Sequence, residues 1–179
     1  MADQRLFFAL WPKAWVRDEL AALAQASAPG EGRRHFPEDL HMTLVFLGHV
    51  AASRRQCIEQ VADAVRVRPF ALTIDHTGFW SGPRIFWAAP GATPEPLKQL
   101  VLDLNNGLRG CGFEAEQRLY KPHVTLCRKA RHAEPTPLPA GIQWQVRGFV
   151  LASSANPGSS TTRYHVLRRW ALDDPKNRS

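Results

Sequence analysis

The chain has 179 residues, 44% apolar and 22% charged, with 23 Lys and Arg against 16 Asp and Glu for a net charge of +7. Such proportions exclude a disordered or fibrous chain, and the length suits one domain or two intimately packed lobes. The basic excess, mostly arginine, suits a polyanionic partner because a guanidinium matches phosphate oxygens in a fork; a merely solubilising surface accounts for the charge equally well.

Three cysteines, Cys57, Cys111 and Cys127, form no CxxC pair and make an odd count. That argues against a disulfide framework or a cysteine-built zinc site and for a reducing cytosol. The N-terminal apolar run Leu6 to Trp11 is too short for a signal sequence and far too short to span a membrane. A cytoplasmic protein is expected.

In chain order, "RLFFALWP" (Arg5 to Pro12) reads as a buried strand closed by proline. "KAWVRDELAALAQASAPG" has helical apolar spacing and stops at Pro29-Gly30. A strand is expected over His41 to Leu47, then a helix over Ser53 to Arg66 with Ser53 as its N-cap. "FALTIDHTGFW" (Phe70 to Trp80) alternates like a strand and ends at the turn signal "SGP". The order then restarts. "RIFWAA" (Arg84 to Ala89) echoes "RLFFAL". A helix follows with Leu97, Leu100, Val101, Leu104 and Leu108 on one face. A Pro-rich loop "AEPTPLPAG", one strand "IQWQVRGFVLASS", a "NPGSSTT" turn, a last strand "RYHVLRRWAL" and a polar tail complete the chain.

The repeat carries the chemistry. "HMTL" has His41 and Thr43 two positions apart, and "HVTL" has His123 and Thr125 at the same spacing. Alternate residues of a strand share a face, so each pair is aimed together, and a single pair could equally be a structural histidine bonded to a threonine. The recurrence of the pair inside a duplicated strand, helix, strand unit favours one symmetric site between two related lobes. The expected fold is α+β, a single domain of two packed repeats over about 5–80 and 84–179, with a cleft between the two lobes. Two imidazoles supply a proton donor and a proton acceptor near neutral pH, and two hydroxyls can donate to oxyanions. That inventory suits attack of water on a strained cyclic phosphodiester. Without an accompanying carboxylate or cysteine in either motif, two histidines make a thin metal-ligand set. No metal or cofactor is therefore expected. Among Phe36, Trp80, Trp87 and Tyr120, one or two are expected to stack on a base at the cleft, and His35 and His165 are candidates for its rim.

"LHMTLVFLG" and "KPHVTLCR", with "RLFFAL", "FPEDLH" and "RIFW", resemble the paired HxTx motifs and flanks of the 2H phosphoesterases, in particular the RNA 2′,3′-cyclic phosphodiesterases long named 2′-5′ RNA ligases. The resemblance covers most of residues 5 to 128. It implies a bilobal fold, each lobe an antiparallel sheet with helices outside and the site in the cleft between, and the opening of 2′,3′-cyclic phosphate ends of RNA to 2′-phosphates. By that resemblance His41 is the proton donor, His123 the proton acceptor, and Thr43, Thr125 and Arg128 hold the phosphate. Pseudo-symmetry cannot separate acid from base, so those two roles rest on the family alone. The partner is an RNA or oligonucleotide with a cyclic phosphate end, or a small cyclic nucleotide, acted on by a monomer. The alternatives are the reverse reaction, 2′-5′ end joining, and a binding module that only grips phosphate.

Overall fold

The run "RLFFAL" forms Gln4–Leu10 (β1), and its unbroken apolar character has a simple cause: the strand is buried on both faces. Leu6, Phe8 and Leu10 enter the main core, while Phe7 and Ala9 join Val150 and Ala152 in a smaller cluster on the opposite face. The structure, a computed structural model, describes residues 3–27, 32–114, 116–154 and 163–173. The expected Pro29-Gly30 helix stop, the "NPGSSTT" turn and the tail beyond Asp173 lie outside those residues.

Helix Ala14–Ala26 (α1) buries Val16, Leu20 and Ala24 along one stripe. Next come Arg33–Arg34 (β2), Met42–Val50 (β3), Arg55–Asp63 (α2), Phe70–Trp80 (β4) and Ile85–Ala89 (β5). Helix Glu95–Arg109 (α3) buries the five residues expected of it, Leu97, Leu100, Val101, Leu104 and Leu108. Val124–Arg128 (β6), Pro137–Val146 (β7), Gly148–Ser154 (β8) and Tyr164–Ala171 (β9) follow.

The main path of the antiparallel sheet runs β7-β4-β5-β6-β3-β1-β8-β9, and β2 pairs with β6 off this path. It divides into two half-sheets of matching order, β6-β5-β4-β7 and β3-β1-β8-β9, joined at one residue pair, Met42 with Val124. β3 thus corresponds to β6, and β1 to β5. The half-sheets interleave in sequence: β4 lies with β5 to β7, while β8 and β9 complete the half that holds β1 and β3. The helices cross over too, α1 packing on β6 and β7, and α3 on β3 and α2.

Three expectations are corrected. The single strand expected over "IQWQVRGFVLASS" is two, β7 and β8, which break at Arg147 and pair in opposite half-sheets. One linking residue bridges only about 7 Å, so the sheet curls until its halves meet. There Leu172 N–H donates to the Arg147 carbonyl and Asp173 N–H to the Val67 carbonyl. Ser53 lies in a short 3-10 turn, Ala52–Arg54, and the side chain of Arg54, the residue that caps α2, makes no capping hydrogen bond. Finally, Cys57 and Cys111 form a disulfide with Cα atoms 5.8 Å apart, leaving Cys127 free and buried. The odd count concealed it because packing of α2 against α3 joins residues 54 positions apart.

Candidate active site

His41 and His123 each stand one residue ahead of their strands, β3 and β6, which meet at the seam between half-sheets. Met42 and Val124, paired there, point into the core and are fully buried. Carried one residue either way, this antiparallel register sets His41 across from Thr125 and Thr43 across from His123. All four side chains therefore share the face opposite the core. The histidines are diagonal neighbours, a relation that puts Cβ atoms about 7 to 8 Å apart, room for one phosphate group between the rings.

Both rings are oriented in the same way. His41 Nδ1 lies 2.6 Å from the Asp39 carbonyl and His123 Nδ1 2.9 Å from the Lys121 carbonyl, in each case two residues upstream. A carbonyl only accepts, so Nδ1 carries the hydrogen and Nε2 is left as the working nitrogen, an acceptor when neutral and a donor when protonated. Tyr120 Oη donates to the Thr43 carbonyl at 3.0 Å and so ties the loop before β6 to β3.

A second symmetric detail brings Arg128 in. Three residues past Thr125, it would face the other way on a regular strand. However, β6 carries an extra residue between Phe86↔Cys127 and Trp87↔Thr125. This bulge buries Leu126 and Cys127 together and returns Arg128 to the histidine face. β3 bulges at the same place, between Phe8↔Val45 and Ala9↔Thr43. The bulges also correct the repeat alignment by one residue: Phe8 corresponds to Phe86, both essentially fully buried, and Ala9 to Trp87.

Around the histidines the symmetry breaks. His41 lies flat on Trp11, ring centroids 5.0 Å apart and planes at 6°, with the edge of Tyr164 at 4.9 Å and Phe7 at 5.0 Å. His123 meets one ring in edge contact, Trp80 at 4.6 Å. Trp80 in turn packs on Trp87, whose indole occupies the space left by Gly78. Burial in its aromatic cage pushes the His41 pKa down to about 4; the Asp39 carbonyl opposes this, and Arg128 and His123 push further down. Burial also lowers His123, with Arg128 adding to the shift and the Lys121 carbonyl resisting it. A cavity of about 1450 Å³ opens on the His123 side, with Thr43, Phe46, Trp80, Tyr120 and His123 in its wall. Among the described residues, no group of three or more His, Cys, Asp or Glu is placed to hold a metal ion, and no helix is long and apolar enough to cross a membrane.

Of the residues expected at the site, His41, Thr43, His123, Thr125 and Arg128 converge. His35 also lies beside it, flat against Tyr164, whereas His165 pairs with Ser153 at the far side of β8. Trp80 reaches His123, Tyr120 is spent on Thr43, and Phe36 is exposed. Sequence reasoning missed Trp11 and Tyr164, which come from distant parts of the chain. It also missed Asp39, whose buried carboxylate accepts from the backbone N–H groups of Arg163 and Tyr164.

A duplicated antiparallel sheet with a histidine-x-threonine pair on each side of its seam has the fold of the 2H phosphoesterases. The chain belongs to the 2′-5′ RNA ligase superfamily, whose profile matches residues 10–156. It is similar to the RNA 2′,3′-cyclic phosphodiesterase of Escherichia coli K12, 36% identical over 94% of this chain and 97% of that one. The protein of that name from Thermus thermophilus is 29% identical over 94% and 90% of the two chains. The crystal structure of E. coli LigT complexed with 3′-AMP superposes with a TM-score of 0.87 at 33% identity, covering 95% of this chain and 98% of that one.

Proposed function

We propose that the protein hydrolyses 2′,3′-cyclic phosphate ends of RNA to 2′-phosphomonoesters without a metal ion. The observation that carries this reading is that His41 and His123 are diagonal neighbours on facing strands, each with Nδ1 turned to a carbonyl and Nε2 left free. The names and structures of the similar proteins support it. His123 Nε2 takes a proton from water as the water oxygen bonds to phosphorus. The bond from phosphorus to O3′ breaks, and His41 Nε2–H delivers its proton to O3′. Thr43, Thr125 and Arg128 hold the non-bridging oxygens. Each proton transfer is worth ~10² to 10⁴-fold. The lowered pKa of His123 keeps it neutral as the base, while the anion arriving beside His41 favours its charged form, so binding itself loads the proton that His41 delivers.

Strain and a tethered leaving oxygen make the cyclic diester the substrate that such a site can open unaided. Small cyclic nucleotides are a second substrate class, favoured by the 3′-AMP found with the E. coli relative. The enzyme is read as a cytoplasmic monomer, where the glutathione pool would keep Cys57 and Cys111 as thiols until oxidation bridges them. The test is turnover of an RNA ending in a 2′,3′-cyclic phosphate, in EDTA. The expected result is full activity with chelator, a 2′-phosphate product, and a loss of about 10²-fold or more in both His41→Ala and His123→Ala. Loss of activity in EDTA, or undiminished turnover in both variants, would overturn the proposal.

A further inference from the structure

Beside the histidines, the short pairing of β2 with β6 sets Arg33 directly across from Arg128. Residues opposite each other in an antiparallel pair project from the same face, and like charges so placed are destabilising. Among the described residues Arg33 and Arg128 have no ion-pair partner, and Arg163 has only the Asp39 carboxylate within electrostatic reach, without a salt bridge to it. Arginines elsewhere do pair, Arg55 with Glu59 and Arg168 with Glu59 and Asp63. The nearest acid, Asp39, spends both oxygens on backbone N–H groups and thereby fixes Arg163 at the start of β9. Between these cations sits His35, its ring flat on Tyr164 at 6.2 Å and 11°. Its side chain makes no hydrogen bond to the described residues. Burial first, then Arg128, His41, Arg163 and Arg33, lower its pKa to about 3, so all four lie within electrostatic reach of one ring.

We propose that Arg33, Arg163 and His35 form a second anion subsite, one strand over from Arg128, that holds the phosphodiester on the 5′ side of the terminal nucleotide. This rests on the cyclic-phosphate reading above. Neighbouring strands lie about 5 Å apart, and arginine side chains fan out beyond that, so successive phosphates of one RNA strand can be gripped by Arg128 and Arg33. Guanidinium forks suit phosphodiester oxygens, and a neutral His35 ring supplies one further N–H. The like-charge pair that costs stability in the free enzyme becomes complementary when the strand is bound.

The experiment compares two substrates that differ in one charge: uridylyl-uridine 2′,3′-cyclic phosphate, and the same dinucleotide with a neutral methylphosphonate internal linkage. Wild type is expected to favour the charged linkage about tenfold in kcat/KM, with a salt slope steeper by about 0.7. Arg33→Ala and Arg163→Ala should each bring that preference towards unity, Arg33→Lys should keep part of it, and Lys98→Ala, remote from the cleft, should leave it unchanged. Equal use of the two substrates by wild type, or a preference that survives both alanine variants, would overturn the subsite. Absence of turnover on either substrate would instead overturn the parent reading. Calorimetric binding of the two 2′-phosphate products then decides the subsite, which is refuted if they bind equally.

Discussion

Acidification from pH 7 to pH 5 should destabilise this protein through two histidines that the fold keeps neutral. His41 is pushed down to about 4 and His35 to about 3, both mainly by burial, while in the unfolded chain each titrates near 6.5. A folded-state pKa below the unfolded one contributes stability that is present above pH 6.5 and is lost as pH falls towards the folded value, because the unfolded chain binds the proton first. At pH 5 each group has lost about 2 kcal/mol relative to pH 7, hence about 4 kcal/mol together. His123 shifts in the same direction and adds to the loss. Asp39, raised by burial, works the other way and trims it at the acid end. For a chain of this size 1 kcal/mol moves Tm by about 2 to 4 °C, so Tm should fall by about 8 to 16 °C. The assay is thermal unfolding by circular dichroism at pH 7, 6 and 5, on the wild type and on the double variant His35→Ala, His41→Ala. A flat wild-type Tm, or an equal fall in the double variant, would refute the reasoning.

The disulfide closes a loop of 54 residues, for which chain entropy gives about 4 kcal/mol; Cys57→Ser or reductant should therefore lower the urea midpoint markedly, and an unmoved midpoint would show the bridge to be thermodynamically idle. A Cβ on Gly78 would lie 2.1 Å from the Trp87 ring. Gly78→Ala should cost about 1 to 3 kcal/mol and, through Trp80, lower kcat/KM; retained stability and activity would mean that the indole stack moves freely. Because the His41 and His123 imidazoles are both lowered in the free protein, the bell of kcat/KM against pH that the proposed mechanism requires should centre below pH 6.5. A centre above pH 7.5 would contradict the burial described here.

The placement of the candidate site was legible because it is written locally: His41 with Thr43 and His123 with Thr125 need only the alternation of a strand, and their recurrence needs only the repeat. The apolar face of α3 was legible for the same reason. What escaped was set by pairing across the chain. No local pattern shows that Cys57 and Cys111 meet, since that follows from how α2 packs on α3. No propensity breaks "QVRGF" into two strands, because only their different partners, β4 and β1, separate them. Arg128 was expected at the phosphate by family resemblance, yet a period of two turns it away; the bulge that corrects this appears only against β5. Trp11 and Tyr164 read as ordinary core aromatics until the fold sets them around His41.

The interleaving of the half-sheets bears on when the enzyme can exist at all. Leu6 to Ala9 of β1 pair with Val150 to Ser153 of β8, and Tyr164, carried by β9, closes the cage on His41. During synthesis His41 is made early, but the strands that complete its half-sheet, β8 and β9, leave the ribosome much later. His41 must wait for β8 and β9, and β1 and β8 close over the longest sequence separation of the strand pairings among the described residues, a slow step for a folding chain. A nascent or truncated copy ending in the 140s would hold both histidine-x-threonine motifs, yet should neither protect them from water nor turn over substrate. On the proposed reading, no turnover is expected until the β8–β9 pair docks on β1.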